Sequence, residues 1–192
     1  MVYTVLARKY RPQKLSELVG QNTLVKVLTN SFKLNRIAHS FLLTGSRGIG
    51  KTSTARIIAK SLNCSSSEGK NLPTIDPCGL CESCISITES RHIDVIEMDA
   101  ASRTGVSDVR EIIDNIDYKT VYARFKVYII DEVHMLSNSA FNALLKTLEE
   151  PPEHVKFIFA TTEVLKIPNT IISRCQRFDL ERIDNQLITK HL

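Results

Sequence analysis

The eight residues Gly45-Ser46-Arg47-Gly48-Ile49-Gly50-Lys51-Thr52 spell G-x-x-x-x-G-K-[ST], and no other string restricts the chain as much. The loop must close several backbone N–H groups around one phosphate, so glycine is needed where the turn is tightest. The helix that follows must point its positive end at the anion. Lys51 can then reach β- and γ-phosphates, the Thr52 hydroxyl can ligate Mg²⁺, and Ser53 continues the same stretch. The bland alternative is a Gly-rich turn that holds nothing.

The string needs a strand before it and a helix after it, and the pattern supplies both. Apolar runs at His39–Thr44, Ile93–Met98, Val127–Ile130 and Val155–Ala160 lack polar alternation, as strands covered on both faces do. Between them, three sets of apolar residues recur at helical spacing: Ala55, Ile58, Ala59, Leu62; Val109, Ile112, Ile113, Ile116; and Phe141, Leu144, Leu145, Leu148. Pro151-Pro152 stops the third helix. Strands alternating with amphipathic helices predict an α/β domain with a mostly parallel sheet. Ser65–Pro77 reads as a loop, and Arg182–Leu192 as the start of a helix.

The third run ends in Asp131-Glu132. An open α/β sheet gathers ligand-binding groups at its strand ends. Asp131 suits holding Mg²⁺, directly or through water, and Glu132 suits activating an attacking water. The second carboxylate favours a hydrolytic ATPase over a small-molecule kinase, whose acceptor replaces water. A solvated acidic turn is the reading without function.

Cys64 is followed by Cys78, Cys81 and Cys84, with two-residue gaps that let thiolates converge on one ion. Soft thiolates favour Zn²⁺, and a four-thiolate site leaves no open position, so the metal is expected to be structural. An iron–sulfur cluster is the alternative, although the downstream C-x-x-x-C-P element is missing. Cys175 stands alone and suits packing. Clustered cysteines, no signal-peptide pattern and no membrane-length apolar run predict a cytoplasmic protein without a membrane partner. The net charge of +4 is compatible with nucleic acid and proves nothing about it.

These features resemble the AAA+ superfamily. Leu6-Ala7-Arg8-Lys9-Tyr10-Arg11-Pro12, Gly20-Gln21, Asp131-Glu132-Val133-His134-Met135-Leu136, the run from Ala143 to Pro152 and Ser173-Arg174-Cys175 narrow the resemblance to the bacterial clamp-loader ATPases of DNA polymerase III, the gamma/tau family. The four-cysteine insertion adds to it, and it spans nearly the whole chain. It implies a five-stranded AAA+ P-loop NTPase domain over residues 1–178, with a zinc module within 64–84. Residues 179–192 would begin a truncated helical lid, the chain being an N-terminal fragment, monomeric by itself.

The same resemblance implies site residues. Ala7, Arg11 and Val19 would lie against adenine and ribose, and Thr162 would be the sensor 1 residue near the γ-phosphate. Arg174 would be the arginine finger, reaching a neighbouring subunit's ATP. Arg103 and Arg110 would face primer–template DNA, although Gly105 replaces a basic residue that the family can carry there. The Cys64–Cys78 gap is longer than usual. The implied partners are other clamp-loader subunits, a sliding clamp and DNA. The alternatives are a nucleotide-gated scaffold without turnover and a branch-migration helicase, and the cysteine insertion and Ser-Arg-Cys weigh against the latter.

Overall fold

The computed structural model describes residues 10–65, 72–102 and 106–191. Its sheet has five strands: β1 (Ser40–Thr44), β2 (Val95–Asp99), β3 (Lys126–Asp131), β4 (Val155–Thr161) and β5 (Gln176–Asp179). Their order is β2-β3-β4-β1-β5 and every pairing is parallel. Parallel neighbours need long crossovers, and helices supply most of them. These are α1 (Asn22–Lys33), α2 (Lys51–Asn63), α3 (Glu82–Thr88), α4 (Val106–Asp114), α5 (Asn138–Glu149), α6 (Asn169–Ile172) and α7 (Asn185–His191).

Alternation along each strand divides the interior in two. Val127 and Ile129 face a core built on α1 and α2, where Leu28, Ala55, Ile58 and Leu62 are fully buried. Tyr128 and Ile130 face a second core with Val109 of α4 and Ala140, Phe141 and Leu144 of α5. The three predicted helical stripes therefore lie against the sheet, with Ile113 and Leu145 only partly covered. Ser137 caps α5 by accepting from the Ala140 N–H at 3.2 Å. α5 ends at Glu149, just before the two prolines.

β5 pairs with β1 through Gln176 to Asp179, one residue beyond the predicted end of the sheet pattern. Leu180 is buried behind it, and its N–H donates to the Thr44 carbonyl at 2.8 Å. The sheet domain thus extends past Phe178.

The topology sets the position of any site. Thr44, Asp99, Asp131, Thr161 and Asp179 all end strands at the same edge of the sheet. From β1 the chain runs through the glycine loop and α2 and crosses to the far edge strand, so the loop sits where the winding changes direction. Among the described residues no helix is long and apolar enough to cross a membrane.

Candidate nucleotide site

Thr44 closes β1 with its hydroxyl bonded to the Asp179 carboxylate of β5. Gly45 then turns at φ 144°, and a Cβ there would stand 2.9 Å from the Leu180 carbonyl oxygen. Gly50, at φ 101°, starts α2, and its carbonyl accepts the Thr54 N–H at 2.8 Å. Lys51 is 5% exposed. Its Nζ folds back over the loop and donates to the carbonyls of Gly45 (3.0 Å) and Ser46 (3.1 Å). An ammonium is thus held against the carbonyls of the glycine loop.

The acidic pair meets this loop directly. The Thr52 hydroxyl donates to Asp131 Oδ2, although 79 positions separate the two residues. Glu132 takes the left-handed conformation at φ 47°, and its N–H donates to Asp131 Oδ1 at 2.9 Å. Its carboxylate accepts from the Thr162 hydroxyl at 3.1 Å. His134, with only 6% of its side chain exposed, places Nδ1 3.5 Å from the same Glu132 carboxylate and Nε2 3.4 Å from Glu163. The Thr161 hydroxyl lies 3.0 Å from His134 Nδ1.

Beside this network opens a cavity of about 370 Å³, whose lining includes Lys51, Thr52, Asp131 and Glu132 but not Gly45, Ser46 or Thr162. It collects Arg11, Arg47, Gly48, Gly50, Lys51, Thr52, Ser53, Asp131 and Glu132. It also includes Asp99, which the sequence reading did not single out. β2 pairs with β3 in a register that sets Asp99 opposite Asp131, so the third carboxylate is supplied by the sheet. Ile49 instead packs on the first core, and Val19 is half-buried outside the cavity lining. Ala7 and Arg103 lie outside the described residues.

Arg174 does not line this cavity. Its guanidinium donates to the Thr170 carbonyl at 2.7 Å and to Glu149 at 2.5 Å. Arg110 stands exposed on α4.

The four cysteines do converge. The sulfurs of Cys64, Cys78, Cys81 and Cys84 all lie within 4.8 Å of one another. Tetrahedral coordination with bonds of about 2.3 Å would set them about 3.8 Å apart, a small contraction. Backbone N–H groups already point at the sulfurs: Leu80 and Cys81 at Cys78 (3.4 and 3.3 Å), and Cys78 at Cys64 (3.4 Å). Such donors stabilise thiolate charge. Burial pushes the Cys84 thiol up, whereas at Cys81 the Ser65 hydroxyl and N–H donors outweigh burial and draw it down to about 6. This donor set suits a soft tetrahedral cation such as zinc. Cys175 packs against the second core instead, and burial lifts its thiol to about 12.

Comparison with known proteins finds relatives over the whole chain. A family profile described as DNA polymerase III, delta subunit, matches residues 20–184. The tau/gamma subunit of DNA polymerase III from Haemophilus influenzae is 55% identical over 192 residues, 100% of this chain and 27% of that protein. The gamma subunit from Buchnera aphidicola of Acyrthosiphon pisum is 55% identical over 100% of this chain and 52% of its own length. The chain thus spans about a quarter to about half of these relatives. Among solved structures, a DNA polymerase III gamma subunit-related protein from Thermotoga maritima aligns with TM-score 0.54 and 22% identity, covering 86% of this chain and 47% of that one. The RuvB Holliday junction branch migration motor of the same organism gives TM-score 0.56 and 20% identity, covering 90% and 48%. These two likenesses are of fold alone, whereas the likeness in sequence lies with the polymerase subunits. The chain belongs to the DNA polymerase III, delta subunit family, and tau and gamma subunits are among its relatives.

Proposed function

We propose that this chain is the ATP-binding and ATP-hydrolysing motor domain of a replicative clamp loader, which places a sliding clamp on primer–template DNA. The carrying observation is the bond between Thr52 and Asp131, which joins the phosphate loop to the acidic strand end across one cavity. A turn that holds no ligand has no need of that convergence.

The triphosphate lies in the loop from Gly45 to Thr52, against backbone N–H groups and the N-terminus of α2. Lys51 leaves the loop carbonyls for β- and γ-oxygens. Arg11, on the cavity wall, and Val19 flank the base and ribose. Thr52 and Asp131 are the oxygen donors suited to hold Mg²⁺, which when bound neutralises phosphate charge. Glu132 orients the attacking water and accepts its proton. Thr162, which follows β4, donates to that carboxylate, and its proposed role is to sense the γ-phosphate. Arg174 acts on a neighbouring subunit's nucleotide and must exchange Glu149 for phosphate to do so. An exposed ion pair of this kind contributes about 0–1 kcal/mol, so the exchange is easy.

The chain after Leu180 leads into a helical lid, and α7 is its first helix. Arg110, with Arg103, meets DNA phosphates. Cys64, Cys78, Cys81 and Cys84 hold one structural zinc. The neighbouring loader subunits, the clamp and DNA are the partners, in the cytoplasm. Because Arg174 works in trans, the chain alone turns ATP over slowly.

Calorimetric titration with ATP and Mg²⁺ tests the site, with Lys51→Ala beside the unaltered chain. Binding confined to the unaltered chain is expected, and equal binding by both would refute the assignment. Steady phosphate release by the isolated chain at the rate of an assembled loader would remove the role given to Arg174. A colourless protein holding one zinc is expected, and a brown one would mean iron–sulfur.

A further inference from the structure

Lys60 lies nine residues after Lys51 on the same helix and is 2% exposed. Among the described residues no carboxylate lies within 4.0 Å of its Nζ, and Cys84 and Glu17 are the opposite charges that act on it from farther away. A buried ammonium with no ion-pair partner in contact is unfavourable unless hydrogen-bond acceptors hold it. Its Nζ donates to Gln13 Oε1 at 2.6 Å and approaches the Thr88 hydroxyl at 3.5 Å. Each of these partners leads to a different site.

Thr88 ends α3, the helix whose N-cap is Cys81. Its hydroxyl donates to the carbonyl of Cys84 at 2.8 Å. Gln13 leads the other way: its Nε2 donates to the Arg11 carbonyl at 2.9 Å, and Arg11 lines the nucleotide cavity. A continuous chain of contacts therefore runs Cys84–Thr88–Lys60–Gln13–Arg11. A second tie runs parallel to it, from the Ser16 hydroxyl to Asp76 in the loop before Cys78, at 3.0 Å.

We propose that Lys60 is a positioning residue that couples the four-cysteine site to the nucleotide cavity, so that metal at the cysteines raises nucleotide affinity. The proposal rests on the nucleotide and zinc readings given above. Cys81 and Cys84 would be fixed by a metal they held, and with them the start of α3, whose N-cap is Cys81. α3 sets the Thr88 hydroxyl, Thr88 and Lys60 set Gln13, and Gln13 holds the Arg11 backbone against the cavity. Linkage makes the effect reciprocal: nucleotide must tighten metal by the same factor.

The probe is ATPγS, titrated calorimetrically into the 192-residue chain with zinc loaded or removed by chelator, and zinc is counted by a chromogenic chelator. Loss of zinc is expected to weaken ATPγS about tenfold, within the usual range of coupling between sites. Lys60→Met with its zinc retained should bind ATPγS about as weakly as the stripped wild type, and stripping it should change nothing more. Thr88→Val removes an exposed hydroxyl and should likewise lose the zinc dependence. The reciprocal gain in zinc affinity on adding ATPγS should vanish in both variants. Wild-type affinities for both ligands in Lys60→Met, or an undiminished zinc effect in either variant, would overturn the proposal. If Lys60→Met does not fold, Thr88→Val decides by the same criterion. Lys51→Ala separates the two levels: retained binding there defeats the nucleotide reading itself, whereas lost binding there with unaltered Lys60→Met defeats only the relay.

Discussion

Replacing Gly45 by alanine should damage this protein more than the same change at Gly48. Gly45 sits at φ 144° and an added Cβ would meet the Leu180 carbonyl oxygen at 2.9 Å and Ile49 Cγ2 at 3.2 Å. A methyl group cannot approach a backbone oxygen that closely, and Leu180 cannot retreat easily. It is buried, and its N–H is bonded to Thr44. The backbone conformation adds strain of about 1–3 kcal/mol for a residue with a side chain. Together the two effects amount to about 3 kcal/mol for Gly45→Ala. Gly48, at φ 80°, has nothing within 4 Å of its Cβ position, so only the conformational penalty of about 1 kcal/mol applies. Domains of this size lose about 2–4 °C of Tm per kcal/mol. Thermal unfolding followed by circular dichroism should therefore show a drop of about 6–12 °C for Gly45→Ala and about 2–4 °C for Gly48→Ala. Equal drops, or a larger one at Gly48, would refute the close approach of Leu180 as the reason for glycine at 45.

Other expectations follow from single side chains. Glu132→Gln should keep ATP affinity and lower single-turnover hydrolysis about 10²- to 10⁴-fold in an assembled loader, and a turnover rate within threefold (roughly) of wild type would exclude the carboxylate as base. Asp94 is buried, which would raise its pKa, but the N–H groups of Val121, Tyr122 and Ala123 at 2.8–2.9 Å hold it below the usual carboxylate range. Its stabilisation is therefore present above an unfolded pKa of about 4 and lost as pH falls through the lower folded value. Asp94→Asn should be less stable by about 1–3 kcal/mol at neutral pH and show a flatter acid limb in urea unfolding; an unchanged acid limb would contradict this. Burial lowers Lys156 to about 8 from 10.5, so the unfolded chain binds more protons between these values and stability should rise with pH across them. Denaturation from pH 8 to 10 should show that rise in the wild type and a smaller one in Lys156→Met, and equal slopes would count against it.

What the sequence revealed was local. The phosphate loop, the acidic strand end and the cysteine spacing each require their residues within a short stretch, so each left a readable string. The fifth strand was hard to place because only Phe178 of its four residues is buried, and Arg177 and Asp179 are exposed at the sheet edge. Asp99 has no local signature at all. It enters the cavity because β2 and β3 pair in one register, and a slip of one residue would turn it away. Gln13 and Lys60 are 47 positions apart, and neither lies in a motif. His134 was in plain view within the string that marks the family, yet its contact with Glu132 depends on a backbone turn that no spacing rule describes.

That turn explains how two adjacent carboxylates serve one cavity. In an extended strand, successive side chains point to opposite faces, so Asp131 and Glu132 could not both face the phosphate loop. The left-handed conformation of Glu132, φ 47°, breaks the alternation immediately after the last strand residue. A residue with a side chain adopts it at a cost of about 1–2 kcal/mol. Two hydrogen bonds offset that cost, from the Glu132 N–H to Asp131 Oδ1 and from the Thr162 hydroxyl to the Glu132 carboxylate, and His134 Nδ1 lies 3.5 Å from that carboxylate. Thr162 follows β4 directly, and His134 is tied to β4 through the Thr161 hydroxyl. The direction of the proposed base is therefore set from the neighbouring strand. β4 leads through α6 to Arg174, so the arginine proposed to act in trans follows in the chain from the strand end that aims Glu132.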